Sequence, residues 1–302
     1  MIIMALTLSV CSCDLSECKV TFYEKSGATT RTVIAGIPIS FEPEVPEGYI
    51  FAGWYSDEGY KHAVDISKGV SRSITLYAKY EADYDAFSKA VSLSSTAFVA
   101  VKCTSYSYTG GLRPQAVSAA SGSGVIVRKS GGYYYLVTNH HVIEGEQSLI
   151  NEYKVTDAYD TEYTAELVAS DSSVDLAVLR FAIGKSELAS LTVNTDMPDK
   201  DEAVAAIGNP QGKHNTLTFG KVRNYSEVEL VSSGSDSVGV DFPVLWHSAY
   251  MDNGSSGGAL VNTKMEIVGI NFATGASADD SFSFGFAIPA AKLQEFLDEV
   301  FG

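Results

Sequence analysis

Between Ala97 and Ile288 the sequence breaks into about twelve short apolar runs, each closed within a few residues by glycine, serine, asparagine or aspartate. Runs of that length, rich in valine, isoleucine and aromatic residues, form strands, and turns this frequent leave no room for helices between them. The runs are Ala97–Cys103, Gly124–Arg128, Tyr133–Thr138, Ser148–Val155, Tyr163–Ala169, Leu176–Phe181, Ala203–Ile207, Leu217–Arg223, Val244–Ser248, Gly258–Val261, Ile267–Phe272 and Phe284–Ile288. Twelve is the number that two six-stranded barrels require. Only after Pro289 does the period lengthen: Ala290–Phe301 places Leu293, Phe296, Leu297 and Val300 on one face of a helix. An all-β fold with a C-terminal helix is expected.

A second series of strand-like runs lies upstream, at Val20–Glu24, Thr30–Ile34, Ile50–Tyr55 and Ile74–Tyr80. Residues 19–80 therefore read as a separate small β domain, with Phe51, Trp54, Tyr77 and Tyr80 as its core aromatics. Residues 81–95 are polar, with Tyr84, Phe87 and Val91 at helical spacing, and read as a linker, either a linker helix or the first turn of the next domain; residues 96–302 form the larger domain. Residues 1–18 read as a targeting segment. Met1–Val10 is apolar and too short to span a bilayer; it fits the apolar part of an export signal, although no basic residue precedes it. Val10-Cys11-Ser12-Cys13 is similar to a bacterial lipobox, with Cys13 the better candidate for acylation because small Ser12 precedes it, and acylation there would tether the chain to a membrane. Whether Cys18 and Cys103 pair is open from sequence. The formal charge of −16 repels phosphate backbones, so no nucleic-acid partner is expected. No spacing suits a metal site, and no cofactor is expected.

The chemistry concentrates in three short segments of the larger domain. Gly254-Ser255-Ser256-Gly257-Gly258 presents two serines in a turn flexible enough to aim backbone amides at an oxyanion. Thr138-Asn139-His140-His141 offers an imidazole directly after a strand, and Asp171-Ser172-Ser173-Val174-Asp175 offers a carboxylate directly before one. Histidine, aspartate and serine in that chain order suit nucleophilic acyl transfer. Which histidine, aspartate and serine are used is left open by residue type alone.

A resemblance narrows the choice. Ser121-Gly122-Ser123-Gly124-Val125, Thr138-Asn139-His140-His141-Val142, Asp175-Leu176-Ala177-Val178-Leu179, Gly208-Asn209-Pro210, Gly254-Ser255-Ser256-Gly257-Gly258-Ala259-Leu260 and Gly285-Phe286-Ala287-Ile288-Pro289 together resemble the HtrA/Deg branch of trypsin-like serine proteases. The resemblance implies a chymotrypsin-like double six-stranded β-barrel, with His141 as general base, Asp175 as its orienting carboxylate, Ser256 as nucleophile and the amides of Gly254 and Ser256 as the oxyanion hole. It places Tyr250, Met251, Ile270, Asn271 and Phe272 around the substrate pocket, without a carboxylate at the base, so small or medium apolar side chains are expected there. Ser255 stands where digestive relatives carry an activating aspartate, so no such activation is expected; the segments Gly208–Thr216 and Ser232–Val240 are the candidate activity-setting loops. Protein and peptide substrates and a homotrimer are implied. No PDZ domain is expected, because the chain runs only one helix past Pro289.

The upstream domain has its own resemblance. Gly48-Tyr49-Ile50-Phe51-Ala52-Gly53-Trp54-Tyr55-Ser56-Asp57 with Ser73–Tyr80 is similar to the Listeria–Bacteroides repeat, an internalin B-repeat-like surface module. That resemblance implies a small β-grasp-like fold and a location outside the cytoplasm. The competing expectation is a non-catalytic surface-binding protein built on a protease scaffold.

Overall fold

The computed structural model describes residues 16–108, 113–146, 149–209, 216–227, 240–276 and 283–302. Cys13 and most of the two candidate loops, residues 210–215 and 232–239, lie outside the described residues. The chain divides into two compact units, 1–83 and 84–302.

The first unit is one five-stranded sheet. Strands β1 (Glu17–Glu24), β2 (Gly27–Ile34), β3 (Tyr49–Tyr55), β4 (Ala63–Val64) and β5 (Ile74–Ala82) lie in the order β2-β1-β5-β3-β4, with β1 and β5 parallel at its centre. Alternation along β1 buries Cys18, Val20 and Phe22 on one face. Phe22 stacks on Phe41 at 4.1 Å and meets the edge of Trp54 at 4.9 Å, which fills the core with aromatic surface. Phe51 and Tyr80 pack against this core, whereas Tyr77 stacks on Tyr23.

The second unit opens with α1 (Tyr84–Leu93). Of the two expectations for this segment, a linker helix or the opening of the next domain, the helix belongs to the second unit, because Phe87 and Val91 bury their shared face in its core. Strands β6 (Phe98–Ser107), β7 (Gln115–Ser130), β8 (Tyr133–Thr138), β9 (Ile150–Thr156), β10 (Glu162–Asp171) and β11 (Leu176–Ala182) close a barrel in the order β10-β11-β8-β7-β6-β9. Strands β12 (Ala203–Gly208), β13 (Thr216–Ser226), β14 (Val244–His247), β15 (Ala259–Val261), β16 (Ile267–Ala276) and β17 (Ser283–Pro289) close a second, in the order β12-β13-β14-β17-β16-β15. Both barrels are antiparallel throughout.

A shared core joins the barrels. Val125, Val137 and Leu176 from the first meet Ala205, Ile207 and Val261 from the second, and the C-terminal helix α3 (Ala290–Phe301) adds Leu293, Phe296 and Leu297. Each of the valine, leucine, isoleucine and phenylalanine side chains contributes about 1.5–3 kcal/mol by leaving water, so the packing of the two barrels fixes the strand ends beside their junction. Those ends carry the three segments singled out in the sequence. Cys18 and Cys103 are both buried free thiols. Among the described residues no helix is long and apolar enough to cross a membrane.

Candidate active site

β8 ends at Thr138 and passes through Asn139 into the single turn α2 (His140–Ile143). β11 begins one residue after Asp175, which is held at φ +52°, a left-handed conformation that aspartate tolerates better than most side chains. That twist turns the Asp175 carboxylate back toward α2. Its Oδ1 accepts the His141 backbone N–H at 2.9 Å, its Oδ2 pairs with His141 Nδ1 at 2.8 Å, and the Asn139 side-chain amide donates to its carbonyl at 2.9 Å.

Asp175 is buried while the His141 ring is partly open to solvent. A carboxylate so placed is costly unless both oxygens are bonded, as they are here. The proton shared with Oδ2 sits on Nδ1, which leaves the Nε2 lone pair free to accept another.

His140 and Asp171 do not join this pair. Among the described residues His140 Nδ1 is buried without a hydrogen-bond partner. Asp171 Oδ1 instead accepts the Ser173 hydroxyl and backbone N–H, both at 2.7 Å, and these bonds hold its carboxyl below the usual range. It closes the turn before β11.

The serine turn separates its two hydroxyls just as clearly. Ser255 Oγ accepts the Asp252 N–H at 3.2 Å within the turn, and Ser255 is buried. Ser256 Oγ donates to the Phe272 carbonyl at 3.3 Å, and no hydrogen bond among the described residues joins it to His141. Neither Gly254 nor Ser256 spends its amide N–H on a described partner. Ser255 C=O takes the Gly258 N–H at 3.0 Å, so the planar trans peptide aims the Ser256 N–H the opposite way.

Close packing seats this turn against the first barrel. A β-carbon at Gly257 would overlap the Ser123 carbonyl and Thr138 Oγ1, and one at Gly122 would lie 2.7 Å from Val142 and 2.8 Å from the Ser256 carbonyl. Glycine is required at both positions for the serine turn to approach the strand that leads to His141.

The residues expected around a pocket divide. Ile270 and Phe272 turn their side chains into the core, so at these positions β16 offers backbone rather than side chain. Asn271 is buried and its side-chain amide donates to the Ala259 carbonyl at 3.1 Å. Met251 is buried beside Gly285, while Tyr250 is exposed. Sequence reasoning did not single out Ser123, Thr138, Asn139 or Asn209, all buried polar residues wired into the site; a serine between two glycines directly before the apolar run of β7 was the available signal.

Residues 122–270 match the family model of the trypsin-like peptidase domain, and residues 19–79 that of the Listeria-Bacteroides repeat domain. The second unit is a trypsin-like peptidase domain. It is 38% identical over 185 residues to the serine protease Do-like HtrA of Bacillus subtilis, covering 60% of this chain and 39% of that one. It is 33% identical over 190 residues to a probable periplasmic serine endoprotease, DegP-like, of Chlamydia trachomatis, covering 62% and 35%. The chain thus spans less than two fifths of the length of these curated relatives. Among solved structures, the HtrA-type protease AlgW with a decapeptide superimposes with a TM-score of 0.55 at 28% identity, over 71% of this chain and 67% of that one.

Two further histidines of the described chain lie outside the site. His62 pairs with Asp57, five residues away, at 3.0 Å on the surface. His247, at the end of β14, is fully buried, neither ring nitrogen has a hydrogen-bond partner among the described residues, and burial pushes its pKa down to about 4. Below the unfolded value of 6.5 the unfolded chain therefore takes up a proton that the folded one refuses. Stability should be full above pH 6.5 and fall by about 3 kcal/mol between there and pH 4. Denaturant titrations followed by Trp246 fluorescence should show that slope in the wild type and lose it in His247→Gln; an equal slope in both would contradict the assignment.

Proposed function

We propose that this protein is a serine endopeptidase that cleaves exported or misfolded polypeptides outside the cytoplasm by a His141–Asp175–Ser256 triad and an acyl-enzyme. The observation that carries this reading is the doubly bonded Asp175–His141 pair at the end of the strand against which the serine turn packs, a turn in which Ser256 Oγ makes a 3.3 Å bond to the Phe272 carbonyl while Ser255 Oγ is taken up within the turn. The bond from Ser256 Oγ to the Phe272 carbonyl is long, so rotation of Ser256 toward His141 Nε2 costs little when substrate arrives.

In the first half-reaction Ser256 Oγ bonds to the scissile carbonyl carbon and its proton passes to His141 Nε2. The carbonyl oxygen becomes an oxyanion between the Gly254 and Ser256 N–H groups. Collapse breaks the C–N bond, and the departing amine takes the proton from Nε2. Water then attacks the Ser256 ester, giving its proton to His141, and the acid is released with Ser256 restored. Asp175 holds the imidazolium in each step. None of these steps calls for a cofactor.

With Met251 and backbone of β16 beside the turn, and no acidic residue among the pocket candidates, small or medium apolar residues are favoured before the scissile bond. The repeat domain and the periplasmic description of the Chlamydia relative support an extracytoplasmic location.

A fluorophosphonate probe tests the reading. Wild type and Ser255→Ala should label at similar rates and Ser256→Ala should not, and a labelled wild type should cleave quenched peptides fastest after alanine or valine. A folded wild type that fails to label would favour the surface-binding alternative, and fastest cleavage after lysine or arginine would overturn the pocket assignment.

A further inference from the structure

Ser123 lies in β7 and is completely buried, yet every polar atom it has is spent on the site. Its hydroxyl donates to the Gly254 carbonyl at 2.7 Å and accepts the Asn209 N–H at 2.7 Å. Its backbone N–H donates to the Ser256 carbonyl at 2.8 Å, and its carbonyl accepts the Thr138 hydroxyl at 2.7 Å. The direction of the hydroxyl proton is forced: the Asn209 N–H occupies a lone pair, so the proton points at Gly254.

From this geometry we infer that the Ser123 hydroxyl is a positioning residue for the oxyanion hole, setting the angle between its two amides. The inference rests on the peptidase reading above. Gly254 has φ +95°, in a region glycine enters freely, so its own backbone does little to hold the peptide that follows. Fixing its carbonyl fixes the rotation that separates the Gly254 N–H from the Ser255–Ser256 peptide. Ser255 C=O is held by Gly258 and Ser256 C=O by Ser123 itself, so three consecutive carbonyls are turned into the protein and the amides are left facing out. Of the three anchors, only the bond to Gly254 comes from a side chain, and it alone can be removed by substitution without altering the backbone.

The space around the hydroxyl is equally specific. A β-carbon at Gly208 would stand 2.9 Å from Ser123 Oγ, so the chain entering Asn209 fits only around a small side chain. Removing the hydroxyl leaves the Gly254 carbonyl and the Asn209 N–H without this partner, and the Gly254–Ser255 peptide, still tied at its other end by the 2.9 Å bond from the Ser255 N–H to the Asp252 carbonyl, loses the anchor that sets its tilt. Substrate binding through β16 does not involve Ser123 and should survive.

Ser123→Ala should therefore lower kcat about 10- to 100-fold with KM changed less than about twofold, measured on a quenched peptide with valine before the scissile bond. Affinity for a peptide boronic acid, whose tetrahedral adduct puts an oxygen between the two amides, should fall by the same factor as kcat/KM. Ser123→Cys, which keeps a weak donor, should recover part of both. Unchanged kcat in folded Ser123→Ala, or a loss shared equally by KM, overturns the inference while leaving the peptidase reading intact. Loss of cooperative unfolding in both variants assigns the hydroxyl to the stability of the domain and overturns it too. A folded wild type that neither cleaves the peptide nor binds the boronate overturns both.

Discussion

Ser256→Ala should lower kcat by roughly 10⁵- to 10⁶-fold while KM stays within a few-fold of wild type, the pattern expected when a nucleophile is lost and ground-state contacts are kept. The hydroxyl contributes little to the fold, since among the described residues its one hydrogen bond is the 3.3 Å contact to the Phe272 carbonyl. Melting should therefore hardly change. No neighbour can replace it. Ser255 is adjacent in sequence, but its hydroxyl faces the Asp252 N–H inside the turn, and recruiting it would mean dismantling the turn that places the Gly254 and Ser256 amides. The residual rate should still exceed that of water by about 10³- to 10⁴-fold, because the amides and the binding surface remain. Progress curves on the same quenched peptide check this; activity of Ser256→Ala within tenfold of wild type would remove Ser256 from the mechanism.

The twelve barrel strands were legible because their cores are short apolar runs bounded by turn residues. β8 matches its expected limits, Tyr133–Thr138, and β11 and β12 do so within a residue. The largest miss is β7, expected to start at Gly124 and starting instead at Gln115. Residues 115–121 are exposed, so nothing in their hydrophobicity marks a strand; they extend because β6 supplies the ladder over the same stretch. Hydrogen bonding to a partner strand is a tertiary fact that a one-dimensional pattern does not carry. The same limit applies at the site. Motif phase singled out His141, Asp175 and Ser256, but the carboxylate–imidazole pairing joins residues 34 positions apart and depends on the fold. The Ser123 hydroxyl reaches a residue 131 positions away, and the burial of Ile270 and Phe272 depends on which face of β16 meets the shared core.

Asp175→Asn should lower kcat by about 10⁴-fold at neutral pH with the fold unchanged, and the reason lies in the second oxygen of the carboxylate. Asparagine tolerates the left-handed backbone at this position as well as aspartate does, so the φ of +52° and the bond from Asn139 to the residue 175 carbonyl are kept. Its side chain then has two orientations. With the amide nitrogen toward the His141 backbone N–H, two donors face each other. The opposite orientation satisfies that N–H with the amide oxygen and presents the NH₂ group to Nδ1 of the ring, where Asp175 Oδ2 had been. The backbone N–H thus selects the orientation that forces Nδ1 to accept, moves the ring proton to Nε2, and leaves no lone pair to take the Ser256 proton. Asp175→Ala should behave differently: it loses both bonds, leaves the part-buried His141 N–H without this acceptor at a cost of about 1 kcal/mol, and lowers stability as well as rate. Comparing melting temperatures and kcat for the two variants separates them. An asparagine variant that melts like wild type and keeps more than a tenth of its kcat would show that Asp175 does not control the tautomer of His141.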